Sequence, residues 1–206
     1  PKKNISQVSG IEPNKLYLMD RPESEQSVLI SGYLVNPYGK ISEVAKQAIM
    51  NILGSDFTSR INMNIREDKH WSYGAGAIIL DAKGQRPLIS FTSVQRDKSK
   101  ESIEEITKEF ADINGARPIT EEEFERVKNN MVMQLPGRWE TNNQVRGSID
   151  EIVTYELNDD YYQKYDESVR NLNLNQIHSL TEELVETDKL TWFVVGDKEK
   201  ILSSIK

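Results

Sequence analysis

The sequence predicts an α+β domain: two layers, with helices covering one face of a mostly antiparallel or mixed sheet. Three observations lead there. Candidate strands crowd into the first half of the chain, a block of helical periodicity follows, and one apolar strand returns near the end.

The first strand is Leu16-Tyr17-Leu18-Met19. It stops at Asp20-Arg21-Pro22, because proline has no N–H for a ladder. Residues 27–35 are rich in β-branched and aromatic side chains and read as a long strand. Asn36-Pro37-Tyr38-Gly39 is a turn. A helix is expected from about Ser42, with Val44, Ala45, Ala48, Ile49 and Ile52 on one face and Gly54 as its C-terminal stop. A second, short helix should bury Phe57, Ile61 and Ile65, which are spaced by four. Residues 72–80 and 88–94 form a hairpin around Asp81-Ala82-Lys83-Gly84. Its first strand holds Gly74, Ala75 and Gly76, small residues that permit close approach of another backbone.

The second half reads as helices. Ile103, Ile106, Phe110 and Ile113 mark one at helical spacing. Thr120-Glu121-Glu122-Glu123 is a capping box that starts another, with Phe124, Val127, Met131 and Leu135 inward. Pro136-Gly137 breaks it. Val145, Ile149, Ile152, Val153 and Leu157 predict a third apolar stripe. Asp159 or Asp160 is placed to cap a fourth helix, with Tyr162, Tyr165 and Val169 inward. Leu174, Ile177, Leu180 and Leu184 make a fifth. A last strand over 190–195 ends at Gly196-Asp197, and a short helix follows.

Composition narrows the function classes. The 206 residues suit one sizeable core. Lys plus Arg number 26 against 33 Asp plus Glu, a net charge of −7. That balance disfavours a nucleic-acid binder, which shows clustered cations. No apolar run approaches the ~20 residues of a membrane span. The opening Pro1-Lys2-Lys3-Asn4 leads into a polar segment, so no signal peptide is expected there; 1–15 reads as an N-terminal extension or linker remnant and 16–206 as a single domain. There are no cysteines, which excludes disulfides and thiolate metal sites.

Most catalytic signatures are missing. No Gly-x-Ser-x-Gly elbow is present, and Gly74-x-Gly76 lacks the helix that a phosphate-binding loop requires. Catalytic zinc needs about three protein ligands. The only histidines are His70, in a polar loop, and His178, on a predicted helix, and neither has a partner at i+4. Both read as surface or boundary residues. Trp71, Trp139 and Trp192 read as core or domain-contact residues. No metal site is assigned to this chain.

Several segments together resemble one family. They are Leu16-Tyr17-Leu18-Met19-Asp20-Arg21-Pro22 with Gln26-Ser27-Val28, Asn51-Ile52-Leu53-Gly54-Ser55-Asp56-Phe57-Thr58-Ser59-Arg60-Ile61-Asn62, Ile65-Arg66-Glu67, Tyr73-Gly74-Ala75, Pro118-Ile119-Thr120-Glu121-Glu122-Glu123-Phe124, and Trp192-Phe193-Val194-Val195-Gly196-Asp197. From Leu16 onward the chain is similar to the non-catalytic C-terminal half-domain of the pitrilysin-type zinc metallopeptidases. Insulysin and the mitochondrial processing peptidase belong to that family. A long glycine-rich loop, as in one processing-peptidase subunit, would fall near 54–59, where this chain is short.

The resemblance implies a clamshell of two homologous halves around a peptide substrate. The other half or subunit would carry His-x-x-Glu-His and the zinc. This half would supply Arg66 and Tyr73, seven apart as in the family, to substrate binding and transition-state stabilisation. Without the resemblance, Arg66 reads as an ion-pair partner and Tyr73 as sheet core. A different class also remains: a structural or interaction domain, like the non-peptidase core subunits of respiratory complexes. Bacterial relatives of this type are often exported, so both a periplasmic and a cytoplasmic setting are open.

Overall fold

In the computed structural model, which describes residues 4–204, five strands form one mixed sheet with helices packed on one face. The strands are β1 (Leu16–Asp20), β2 (Gln26–Val35), β3 (Ser72–Ile79), β4 (Arg86–Gln95) and β5 (Thr191–Gly196). Their order across the sheet is β1-β5-β2-β4-β3. The returning strand β5 is inserted between the first two, parallel to β1 and antiparallel to β2. The remaining pairs are antiparallel, including the expected β3–β4 hairpin.

Alternation along each strand sorts the two faces. Leu29, Leu88, Val94 and Val194 face the helices and are buried. Buried serines share that face: Ser31 meets Ser90 at 2.7 Å, and Ser27 accepts from Ser99 of the helical layer at 2.7 Å. On the opposite face Tyr17, Phe193, Ile30 and Phe91 stand in one cross-strand row. All four are exposed.

The helices are α1 (Glu43–Met50), α2 (Arg60–Asn62), α3 (Ser99–Asp112), α4 (Glu121–Met133), α5 (Asn142–Tyr155), α6 (Tyr165–Arg170), α7 (Leu174–Leu184) and α8 (Lys198–Ser204). Capping explains where several begin. Ser42 accepts from the Ala45 N–H, and Thr120 with Glu123 forms the expected capping box. Thr141 with Gln144 forms a second box, at the start of α5. Ile49, Ile52, Ile61, Ile65, Ile106, Phe110, Phe124, Val127 and Ile177 meet in the core. Full burial of each such side chain contributes roughly 1.5–3 kcal/mol.

Four expectations need correction. Gly54 does not end a helix in the left-handed conformation. Instead α1 widens into π-helical turns over Asn51–Ser55, and Gly54 is pressed against β3. A Cβ on Gly54 would stand 2.6 Å from the Ala77 Cβ and 2.8 Å from its Cα. Phe57 is not on a buried helical face: the chain is extended at Asp56, α2 starts only at Arg60, and the Phe57 ring is exposed. The α5 stripe is not core either. Val145, Ile149 and Val153 are exposed, and only Ser148 of that helix is buried, receiving a hydrogen bond from the Trp139 indole at 3.0 Å. Periodicity tells which residues share a face, not whether another layer lies beneath it. Finally, α6 begins at Tyr165 with no side-chain cap, so neither Asp159 nor Asp160 caps it, and Tyr162 is only half-buried.

Candidate functional site

The site is assembled where α2 runs into β3. After Asn62 the helix widens into π-helical turns over Met63–Asp68, which carry Arg66. Ile65, one position earlier, is fully buried and anchors the segment. Three backbone bonds then turn the chain: Lys69 N–H to Asn64 O at 3.1 Å, His70 N–H to Arg66 O at 3.2 Å, and Trp71 N–H to Ile65 O at 3.1 Å. His70 takes a left-handed conformation there, with φ of 56°.

β3 starts irregularly. Its register against β4 shifts between Ser72 and Ala75. The Ser72 hydroxyl holds the bulge by accepting from Gly74 N–H at 3.1 Å, and Thr92 Oγ1 lies 2.9 Å from Ser72 Oγ. A bulge re-aims the side chain it carries. Here it throws Tyr73 outward to 92% exposure.

Arg66 and Tyr73 line one surface cleft of about 470 Å³ with Glu67, His70, Gln26 and Gln95. The Arg66 guanidinium lies 4.6 Å from the Phe57 ring centroid, and its Nε is 3.4 Å from Glu67. Both contacts leave guanidinium N–H groups available, since the fork carries five donors. The cleft brings together Arg66 and Tyr73, the pair the resemblance implies; Glu67, His70 and Phe57, which the sequence reading gave other places, lie beside them. Glu67 and His70 lie inside the seven-residue spacing. Phe57 was misplaced by its own helical spacing with Ile61.

Beneath the site, α2 is tied to α4. Arg60, at the start of α2, is nearly buried and bidentate to Glu123 (2.7 and 2.6 Å), and also donates to Pro118 O at 3.1 Å. Burial pushes the Glu123 carboxyl up, but the Arg60 guanidinium and the Thr120 N–H pull harder and hold it at about 2.

Among the described residues, no group of three His, Cys, Asp or Glu side chains could hold a metal. His178 Nε2 is engaged with Ile119 O at 2.8 Å, and His70 Nδ1 lies 3.1 Å from Arg66 O. No helix among these residues is long and apolar enough to cross a membrane.

The fold is thus a half-domain-sized α+β unit in which the described residues hold no group of metal-ligating side chains. The family model of the peptidase M16 inactive domain matches residues 2–131, and the chain belongs to that family. No curated protein matches it by sequence. Among solved structures, it is similar to a peptidase M16 inactive domain from Pseudomonas fluorescens, with 17% identity and a TM-score of 0.84 over 94% of this chain and 46% of that one. A protease from Helicobacter pylori is 14% identical, with a TM-score of 0.78 over 88% of this chain and 43% of that one. A chain of Complex III2 from Candida albicans is 12% identical, with a TM-score of 0.71 over 98% and 51%. The chain thus spans about half the length of these relatives.

Proposed function

We propose that this domain closes the peptide chamber of a zinc endopeptidase whose metal is held by a companion half, fused or separate. Arg66 binds a carbonyl or carboxylate of the substrate, for which a planar fork of donors is suited. Tyr73 donates its phenol O–H to the oxygen on which negative charge develops as the peptide bond is attacked. The single observation that carries this reading is the bulge that expels Tyr73 into the cleft lined by Arg66. An aromatic residue kept for packing would be turned into the sheet. Membership of the inactive-domain family supports the division of labour between two halves.

The test is kinetic and uses the assembled enzyme. Tyr73→Phe should lower kcat by on the order of 100-fold or more, the usual effect of removing one such donor, with KM and the unfolding midpoint little changed. Arg66→Ala should chiefly raise KM. If both variants turn over at the wild-type rate with wild-type KM, the cleft takes no part in proteolysis. The likeness to a Complex III2 chain would then point to an assembly role.

A further inference from the structure

Tyr73 owes its exposure to a reversal within β3. Ala75 and Ala77 are buried on the helix side of the strand, opposite Thr92 and Ser90. Side chains alternate along a strand, so a regular β3 would put position 73 on that buried side, opposite Val94. The register shift prevents this. From Ser72 to Ala75 β3 takes three steps, while β4 takes two from Val94 to Thr92. Ser72 thereby moves opposite Val94, Tyr73 and Gly74 share the single partner Ser93, and Tyr73 turns out to solvent. A slip of one residue exchanges the two faces of a strand.

Two hydroxyls hold the extra residue in place. Ser72 Oγ donates to Gly74 O at 2.7 Å and accepts from Gly74 N–H at 3.1 Å, which closes a small ring around the Tyr73 backbone. Thr92 stands behind that ring. It is only 3% exposed, and its hydroxyl is 2.9 Å from Ser72 Oγ and 3.0 Å from Gly74 O. Both acceptors belong to the bulge. A buried hydroxyl is costly unless it is bonded, and valine would fill the position without one. Ser90, next on the same face, is bonded to Ser31 instead. Among the described residues, no hydrogen bond or ring contact reaches the Tyr73 side chain. The aim of the phenol is therefore set by the backbone that carries it.

We infer that Thr92 is a positioning residue for Tyr73: its buried hydroxyl bonds the Ser72–Gly74 turn and so fixes the bulge that presents the phenol to the Arg66 cleft. The inference rests on the reading of Tyr73 as a transition-state donor. Thr92 itself meets no substrate and acts only through the course of β3. Misplacing a reacting group by about 1 Å costs on the order of 100-fold in rate, so a single hydroxyl beneath the bulge carries weight in turnover.

The experiment uses the assembled enzyme at a temperature well below unfolding, with thermal unfolding as the check that each variant is folded. The variants are Thr92→Val, Thr92→Ser, Ser72→Ala, Tyr73→Phe, and Thr92→Val combined with Tyr73→Phe. Thr92→Val should lower kcat by roughly 10- to 100-fold with little change in KM. Thr92→Ser keeps the hydroxyl and should restore most of that loss. Ser72→Ala removes the other half of the network and should lower kcat in the same way, so it carries the test if Thr92→Val does not fold. In the Tyr73→Phe background there is no phenol left to aim, and Thr92→Val should change kcat by less than about twofold. Wild-type kcat in folded Thr92→Val, or in folded Ser72→Ala where it carries the test, overturns the inference, as does an equal loss with and without the Tyr73 hydroxyl; a reduced kcat in Tyr73→Phe then leaves the cleft standing. Wild-type turnover by Tyr73→Phe removes the reading of the cleft, and the inference with it.

Discussion

Gly54→Ala is the substitution that tests how closely the turn after α1 must approach β3. The π-helical turns carrying Gly54 rest directly on β3. An added methyl carbon would lie 2.6 Å from the Ala77 Cβ and 2.8 Å from its Cα, with the Ala77 nitrogen closer still. Carbon atoms rest comfortably at roughly 3.5–4.0 Å, so the turn and the strand must part by about 1 Å. No flexible side chain is available to give way, because the obstacle is β3 itself. Overpacking of this kind costs about 1–3 kcal/mol. The better helical propensity of alanine returns at most ~1 kcal/mol. A net loss of about 1–2 kcal/mol follows. With a urea dependence of roughly 2–3 kcal/mol per M for a chain this size, the midpoint should fall by about 0.3–1 M. Gly74→Ala is the control on the same strand. Its Cβ would meet nothing within 4 Å, and its midpoint should stay within a few tenths of a molar. A Gly54→Ala midpoint equal to or above wild type would refute the close-approach argument and return Gly54 to an ordinary helical glycine.

Gly147 offers the opposite case, as it sits inside α5 with open space where a Cβ would be. Gly147→Ala should stabilise the chain by roughly 0.5–1 kcal/mol, read as a raised urea midpoint. Arg60→Ala strands the Glu123 carboxylate and loses the bond to Pro118 O. A loss of about 3 kcal/mol is expected for breaking so enclosed a pair, and a loss below 1 kcal/mol would show that water replaces the guanidinium. The same pair makes stability acid-sensitive. The Glu123 carboxyl titrates at about 2 in the folded chain, below its ordinary value of 4.5. Its contribution is therefore complete above about 4.5 and is lost as the pH falls towards 2. Partial exposure screens the effect, leaving roughly 1–2 kcal/mol. Glu123→Gln should flatten that part of the stability–pH curve.

The sheet, its hairpin and the helices carrying Ile106, Phe124 and Ile177 were legible because periodicity and burial coincide there. The position of β5 between β1 and β2 was not, since strand order depends on contacts far apart in sequence. Phe57 misled for a simple reason: spacing by four from Ile61 looks helical even when Asp56 is extended and the helix has yet to start. α5 misled because Val145, Ile149 and Val153 share a face that no other element covers among the described residues. The resemblance marks Arg66 and Tyr73, but their setting was invisible. Gly74 lies inside the bulge at Ser72–Ala75 without announcing a register shift, and the left-handed turn at His70 has no glycine at all.

The small residues of β3 admit a close backbone, and the structure shows which one. Gly74, Ala75 and Gly76 permit another backbone to come close, and one does. It is the Gly54 turn of the chain itself: a Cβ on Gly76 would stand 2.7 Å from Gly54 O. The outer edge of the strand is closed by side chains as well. Asn62 accepts from the Ala75 N–H at 3.2 Å, and Ser55 donates to Ala77 O at 2.8 Å. An edge occupied in this way does not template an added strand. A peptide bound as proposed therefore cannot lie along Ala75–Ala77 as a sixth strand without displacing those caps. It must instead meet the sheet at the Ser72–Gly74 end, where Gly74 is open and Tyr73 projects. Asn62→Ala would uncover the Ala75 N–H. If binding proceeds at the bulged end, that change lowers stability but leaves peptide affinity where it was. A marked gain in affinity would place the substrate along the strand edge instead.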